Sequence, residues 1–133
     1  MLFRISQTEN ADNIVLVTGD TACGILKGVW KSSNIAPEAG KSYNIELTLG
    51  LNTGSVERKD IIIEHSKASA ESRMTDDGII FTGRCEEIED IYFIRFSDDG
   101  LEMLDIANDD HTIKAGDLIT FLMKFDEIGI YPY

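Results

Sequence analysis

The stretch Ile91-Tyr92-Phe93-Ile94-Arg95-Phe96-Ser97-Asp98-Asp99-Gly100-Leu101-Glu102-Met103-Leu104-Asp105-Ile106 decides the fold class. Two apolar runs flank a polar loop ending in Asp-Gly, a strong local signal for a β-hairpin. A four-residue loop over 97–100 sets Phe96 opposite Leu101, Arg95 opposite Glu102, Ile94 opposite Met103, Phe93 opposite Leu104 and Ile91 opposite Ile106. Apolar residues then meet apolar partners and the one cation meets a carboxylate, the cross-strand pairs that favour a register. Tyr92 falls opposite Asp105 at the open end of the hairpin.

Outward from this hairpin, short strand signals recur. They cover 2–7, 13–18, 24–31, 43–49, 61–63, 78–85, 118–125 and 129–133. Residues 43–49 alternate cleanly, with odd positions apolar and even positions polar, as in an antiparallel sheet with one wet face. Ile119, Phe121, Met123 and Phe125 share one face of the 118–125 strand. Gly28 predicts a bulge or barrel corner inside the third strand. Pro132 cannot donate to a ladder, which predicts an edge position for the last strand. Residues 66–77 begin with a Ser- and Ala-rich run in which Lys67 and Glu71 stand four apart, which reads as a short helix or a mobile linker.

About ten short strands and at most one short helix define an all-β, mainly antiparallel fold, either a sandwich or a small barrel. The 133 residues suffice for one domain spanning 1–133. Ala39-Gly40-Lys41 before one strong strand echoes Ala115-Gly116-Asp117 before another, loosely enough that the sequence alone does not establish a repeat. A Gly-bearing polar turn leading into a strand resembles, in pattern, the small oligonucleotide/oligosaccharide-binding (OB) barrels, and that resemblance implies a ligand-binding barrel.

Charge narrows the function. The net charge is −12, and it is unevenly placed: residues 1–67 carry net −1 and residues 68–133 net −11. Ten acids lie between Glu86 and Asp110. Direct nucleic-acid binding is disfavoured, because phosphate neutralisation requires Lys and Arg, and a cationic partner is favoured. No apolar run approaches the ~18 residues of a membrane helix, and residues 1–7 show no secretory pattern. Cys23 and Cys85 lie far apart without a framework, which suits two reduced thiols in a cytoplasmic protein.

Catalytic motifs are incomplete. Gly40-Lys41-Ser42 ends like a phosphate loop, but Ile35 stands where its first Gly belongs and a strand follows where a helix should. Gly19 and Gly24 have phosphate-loop spacing but lead into Ile25-Leu26. His65, His111, Cys23 and Cys85 are single, without the paired spacing of a zinc site, and Asn108-Asp109-Asp110 lacks the alternation of a calcium loop. No cofactor, no metal and no enzymatic activity are expected.

The acidic end of the hairpin is the sharpest remaining feature. The register brings Glu86, Glu87, Glu89, Asp90, Asp105, Asp109 and Asp110 towards one another, with Tyr92 as an aromatic anchor. Carboxylates around an aromatic suit a Lys/Arg-rich protein surface. The expected function is an acidic protein-binding or inhibitor module. Its most concrete version is an immunity protein neutralising a cationic toxin such as a nuclease; in overall profile, small, acidic and without catalytic motifs, the chain resembles toxin-immunity proteins. The alternatives are an OB-like barrel that stacks an oligosaccharide or other small ligand on Trp30, Tyr43 and Tyr92, and a non-catalytic assembly subunit using Tyr131 and Tyr133.

Overall fold

The computed structural model describes residues 1–65 and 69–133. Its strands are β1 (Leu2–Ala11), β2 (Ile14–Thr21), β3 (Gly24–Trp30), β4 (Ser42–Leu49), β5 (Val56–Glu57), β6 (Ile62–Glu64), β7 (Glu71–Met74), β8 (Gly78–Ile88), β9 (Ile91–Ser97), β10 (Gly100–Met103), β11 (Ile106–Ala107), β12 (Leu118–Lys124) and β13 (Ile128–Pro132). Two 3-10 turns, Arg58–Asp60 and Phe125–Glu127, are the only helical segments among the described residues.

Strand pairing closes a barrel. β1 pairs antiparallel with β2 and β4, β2 with β3, and β4 with β13, while β13 runs parallel to β3. These five strands form a ring without a free edge. The all-β expectation holds, and of sandwich and barrel the chain takes the barrel. Phe3, Ile5, Val17, Leu26, Ile45, Leu47, Ile128 and Ile130 fill it, all buried. β4 follows its sequence pattern, with Ile45, Leu47 and Leu49 buried and Asn44, Glu46 and Thr48 exposed.

A second sheet grows from the barrel around β8. The first half of β8 lies between β7 and β12, and its second half pairs with β9, which in turn holds β10. β6 pairs with β12. Ile79, Phe81, Ile94, Phe96, Ile119 and Phe121 point from this sheet into the same continuous core as the barrel residues. β7 ties sheet to barrel: Gly24 pairs with Ser72, whose N–H donates to the Cys23 carbonyl at 3.0 Å.

The Ala-Gly echo is a repeated piece of structure. Gly40 and Gly116 both take left-handed backbone, φ 90° and 94°. The Gly40 N–H donates to the Ile5 carbonyl and the Ile5 N–H to the Lys41 carbonyl; Gly116, Cys85 and Asp117 repeat this reciprocal pair. The N–H of Lys41 and that of Asp117 each reach back to the carbonyl three residues earlier. Each turn opens a strand, β4 or β12, that returns to the first strand of a three-stranded meander, β1–β2–β3 or β8–β9–β10. Each meander begins with a two-residue turn whose residues both have positive φ, Asp12-Asn13 and Glu89-Asp90. The chain thus runs the same path twice; the first pass closes into the barrel and the second stays open.

Four expectations are corrected. The hairpin register differs by one over most of its length. Ser97 pairs with Gly100, but a bulge at Phe96 then sets Leu101 opposite Arg95, Glu102 opposite Ile94 and Met103 opposite Phe93. Such a shift exchanges the faces of a strand, so Leu101 and Met103 turn outward and Glu102 turns into the core. Arg95 pairs with Glu86 instead of Glu102. Ile91 and Tyr92 lie opposite Ile88 and Glu87, because β8 continues to Ile88.

β13 is not an edge. It lies between β3 and β4, and Pro132 sits past Ile130, the last residue to meet β3, so its missing N–H removes no bond to that strand. Residues 71–74 form strand β7, not a helix, because hydrogen bonds to β8 and to Cys23 outweigh weak local propensity; residues 66–68, part of that expected helix or linker, lie outside the described residues. Of the bulge or barrel corner expected at Gly28, the bulge is absent, since β3 pairs with β2 straight through it. A Cβ there would lie 2.6 Å from the Ile128 carbonyl oxygen, so Gly28 is where the chain entering β13 approaches β3. Gly28→Ala therefore costs about 2 kcal/mol of stability, read as a urea midpoint shift; a change within about 0.5 kcal/mol would refute the close approach.

Candidate interaction surface

β8 and β9 extend past the end of β12, joined by the tight turn Glu89-Asp90 at φ 52° and 65°. Alternation divides the acidic residues of this ribbon between two faces. Glu86 lies on the outer face, where its carboxylate accepts from Arg95 Nε; Arg95 also donates to the Ser97 and Asp98 carbonyls, at 3.2 and 3.0 Å. Glu87 lies on the inner face opposite Tyr92. Glu89 and Asp90 occupy the exposed tip.

Tyr92 is half-buried, with the Asp109 carboxylate near its hydroxyl. Burial first, then Asp109 and Glu87, pushes its phenol up to about 12, so it stays a neutral donor at physiological pH. Asp109 also accepts the His111 backbone N–H at 2.9 Å and lies 3.3 Å from His111 Nδ1. Asn108 and His111 hold left-handed φ values of 54° and 60°, which fold the 108–111 loop back onto the ribbon. Cys85 lies nearby, fully buried, and burial followed by Asp117 and the neighbouring acids pushes its thiol up to about 11. It is protonated at neutral pH and so a poor nucleophile.

The structure therefore brings Glu87, Glu89, Asp90, Tyr92 and Asp109 to the ribbon. Asp110 turns away: Arg58 Nε donates to it at 3.1 Å, and the Thr112 hydroxyl and N–H, with Arg58, hold its carboxyl below the usual carboxylate range. Asn108 reaches Glu57 at 2.8 Å on the same side, and these residues with Lys59 line a polar cleft of about 530 Å³. Asp105 is exposed where the chain leaves the sheet, its carbonyl taken by the Val56 N–H at 2.9 Å. Among the described residues, Glu87, Glu89, Asp90 and Asp105 form no ion pair.

Of the aromatic residues considered for ligand stacking, Trp30 and Tyr43 pack on each other. Trp30 is buried edge-on to Tyr43, ring centroids 5.1 Å apart, and its indole N–H donates to the Ile35 carbonyl at 2.7 Å. The Tyr43 hydroxyl donates to the Ala36 carbonyl and accepts from the Glu38 N–H, so the pair fastens the 31–41 loop to the barrel. Tyr131 lies half-buried on β13, and Tyr133 is exposed. No three His, Cys, Asp or Glu side chains converge on a metal position among the described residues.

Sequence reasoning missed the apolar side of this ribbon. Ile88 pairs with Ile91, and Phe93 lies beside Met103, all on the outer face. The sequence carries little signal for it: Glu89-Asp90 is not an Asn-Gly or Asp-Gly pair, so neither the tight positive-φ turn nor the extension of β8 to Ile88 reads from local sequence. No protein-family profile, no characterised protein sequence and no solved structure matches the chain. The class defined by fold and surface is thus a closed five-stranded β-barrel with an open second sheet that ends in an acidic ribbon.

Proposed function

We propose that the protein is an acidic protein-binding module that caps a basic surface on a partner protein, in its most concrete form an inhibitor or immunity protein covering the cationic substrate face of a toxin such as a nuclease. The observation that carries this reading is the set of carboxylates Glu87, Glu89 and Asp90, which stand in solvent on the ribbon that carries Tyr92 and form no ion pair among the described residues. Unpaired like charges are favourable only when an opposite field meets them, and they steer association with cationic surfaces. The role needs no catalytic group and no cofactor. It suits the cytoplasm, where Cys23 and Cys85 stay thiols; among the described residues no helix is long and apolar enough to cross a membrane.

The test is a pull-down with tagged protein from its source lysate, washed at low and then high salt. Wild type is expected to release a basic protein as salt screens the contact. The exposed-site variant Glu87→Lys/Glu89→Lys/Asp90→Lys should recover none of it, with an unchanged circular dichroism spectrum. Recovery of the same proteins by the variant would overturn the reading.

A further inference from the structure

We infer that the acidic ribbon binds through an apolar centre, the outer face formed by Ile88, Ile91, Phe93 and Met103, and that its occupant is a basic protein segment carrying apolar side chains among its lysines and arginines. The inference rests on the proposed function and names what the partner presents. Ile88, Ile91 and Met103 are 47, 42 and 53% exposed, and Phe93 is half-buried beside them. Register makes them one patch: Ile88 and Ile91 are direct partners, Phe93 lies between Glu86 and Met103, and Ile91 and Phe93 follow each other on one face of β9. This is an open sheet face of large side chains, the composition of an interface core.

Charge selects the occupant. Glu89 and Asp90 border the Ile88–Ile91 end, and the chain from residue 68 onward is net −11. A second copy would set these carboxylates against their own like, and an anionic lipid surface would be repelled. At the opposite end, Arg95 is neutralised by Glu86, while Arg84 is exposed opposite Arg95 and donates to the Gly116 carbonyl. The partner's cations therefore belong at the Ile88–Ile91 end, and its apolar side chains over Phe93 and Met103. Desolvated apolar anchors ringed by charge carry most of an interface's energy, with the charges setting orientation and rate.

Two synthetic peptides of equal length and charge test this, one alternating Lys with Leu and one alternating Lys with Ser, titrated into the full chain and followed by amide chemical shifts. The Lys-Leu peptide is expected to bind at least tenfold more tightly, with shifts centred on β8–β10. Ile91→Ser/Met103→Ser, both at exposed positions, should remove that advantage and leave the weak Lys-Ser binding unchanged. Equal affinity of the two peptides for wild type overturns the apolar centre while the acidic reading stands. Lys-Leu binding that is unchanged in Glu89→Lys/Asp90→Lys overturns the acidic reading while the apolar centre stands. A wild-type dimer in sedimentation that Ile91→Ser/Met103→Ser dissolves would assign the face to a second copy and overturn the proposal.

Discussion

Phe81→Ala lowers the free energy of unfolding by about 3–5 kcal/mol, the cost of emptying a fully buried aromatic site. Phe81 is 1% exposed at the middle of β8. Its ring centroid lies 5.1 Å from that of Phe96 and 5.7 Å from that of Phe121. β8 hydrogen-bonds β7, β9 and β12, so a void at Phe81 touches every strand that joins the second sheet to the core. The flanking backbone is held in these ladders and cannot collapse into the space, which puts the cost towards the upper part of the range. Urea titration reads the change as a lower midpoint at unchanged slope. A loss below about 1 kcal/mol would mean that the two sheets do not share a core.

Glu102 gives the second large effect, as a pH dependence. The bulge at Phe96 turns this side chain inward, where it is 8% exposed with the Leu47 backbone N–H near its carboxyl. Burial pushes the Glu102 carboxyl up to about 7; the Leu47 N–H opposes this, Glu46 adds to it, and the terminal ammonium opposes it more weakly. The folded chain therefore holds a proton that the unfolded chain, with an ordinary carboxyl near 4.5, releases. Stability from this group is full below the unfolded value and is lost as pH rises through about 7. The shift corresponds to about 3 kcal/mol between pH 4.5 and 8.5. Asp99 and Asp110 have lowered values and titrate below this window. Glu102→Gln keeps the shape of the side chain and cannot ionise, so it should flatten the profile and exceed wild type in stability at pH 8.5. A variant with the wild-type slope would assign the dependence elsewhere.

Both effects arise where local pattern and tertiary structure diverge. Paired with Arg95, Glu102 looks like half of a surface salt bridge, and nothing within the hairpin contradicts that. The register is decided elsewhere, by Phe96, which keeps its ring against Phe81. The same slip exposes Met103 and Leu101, which a sequence register had hidden. The acidic constellation was legible as composition, but its division was not. Glu86 and Glu87 are adjacent in sequence and point to opposite faces, and Asp109 and Asp110 leave one loop for Tyr92 and Arg58 respectively.

By itself the sequence determined the all-β class, the inward faces of β4 and β12, the turn glycines at 40 and 116, and the concentration of acid after residue 85. These follow from period-two hydrophobicity, from backbone that only glycine adopts readily, and from counting charge, all local properties. Tertiary structure alone decided that β13 enters between β3 and β4 to close the barrel, that residues 71–74 become a strand, and that Glu102 rather than Met103 faces the core. Each depends on which distant backbone groups remain to be hydrogen-bonded and which volume remains to be filled, and neither quantity exists until the rest of the chain is in place.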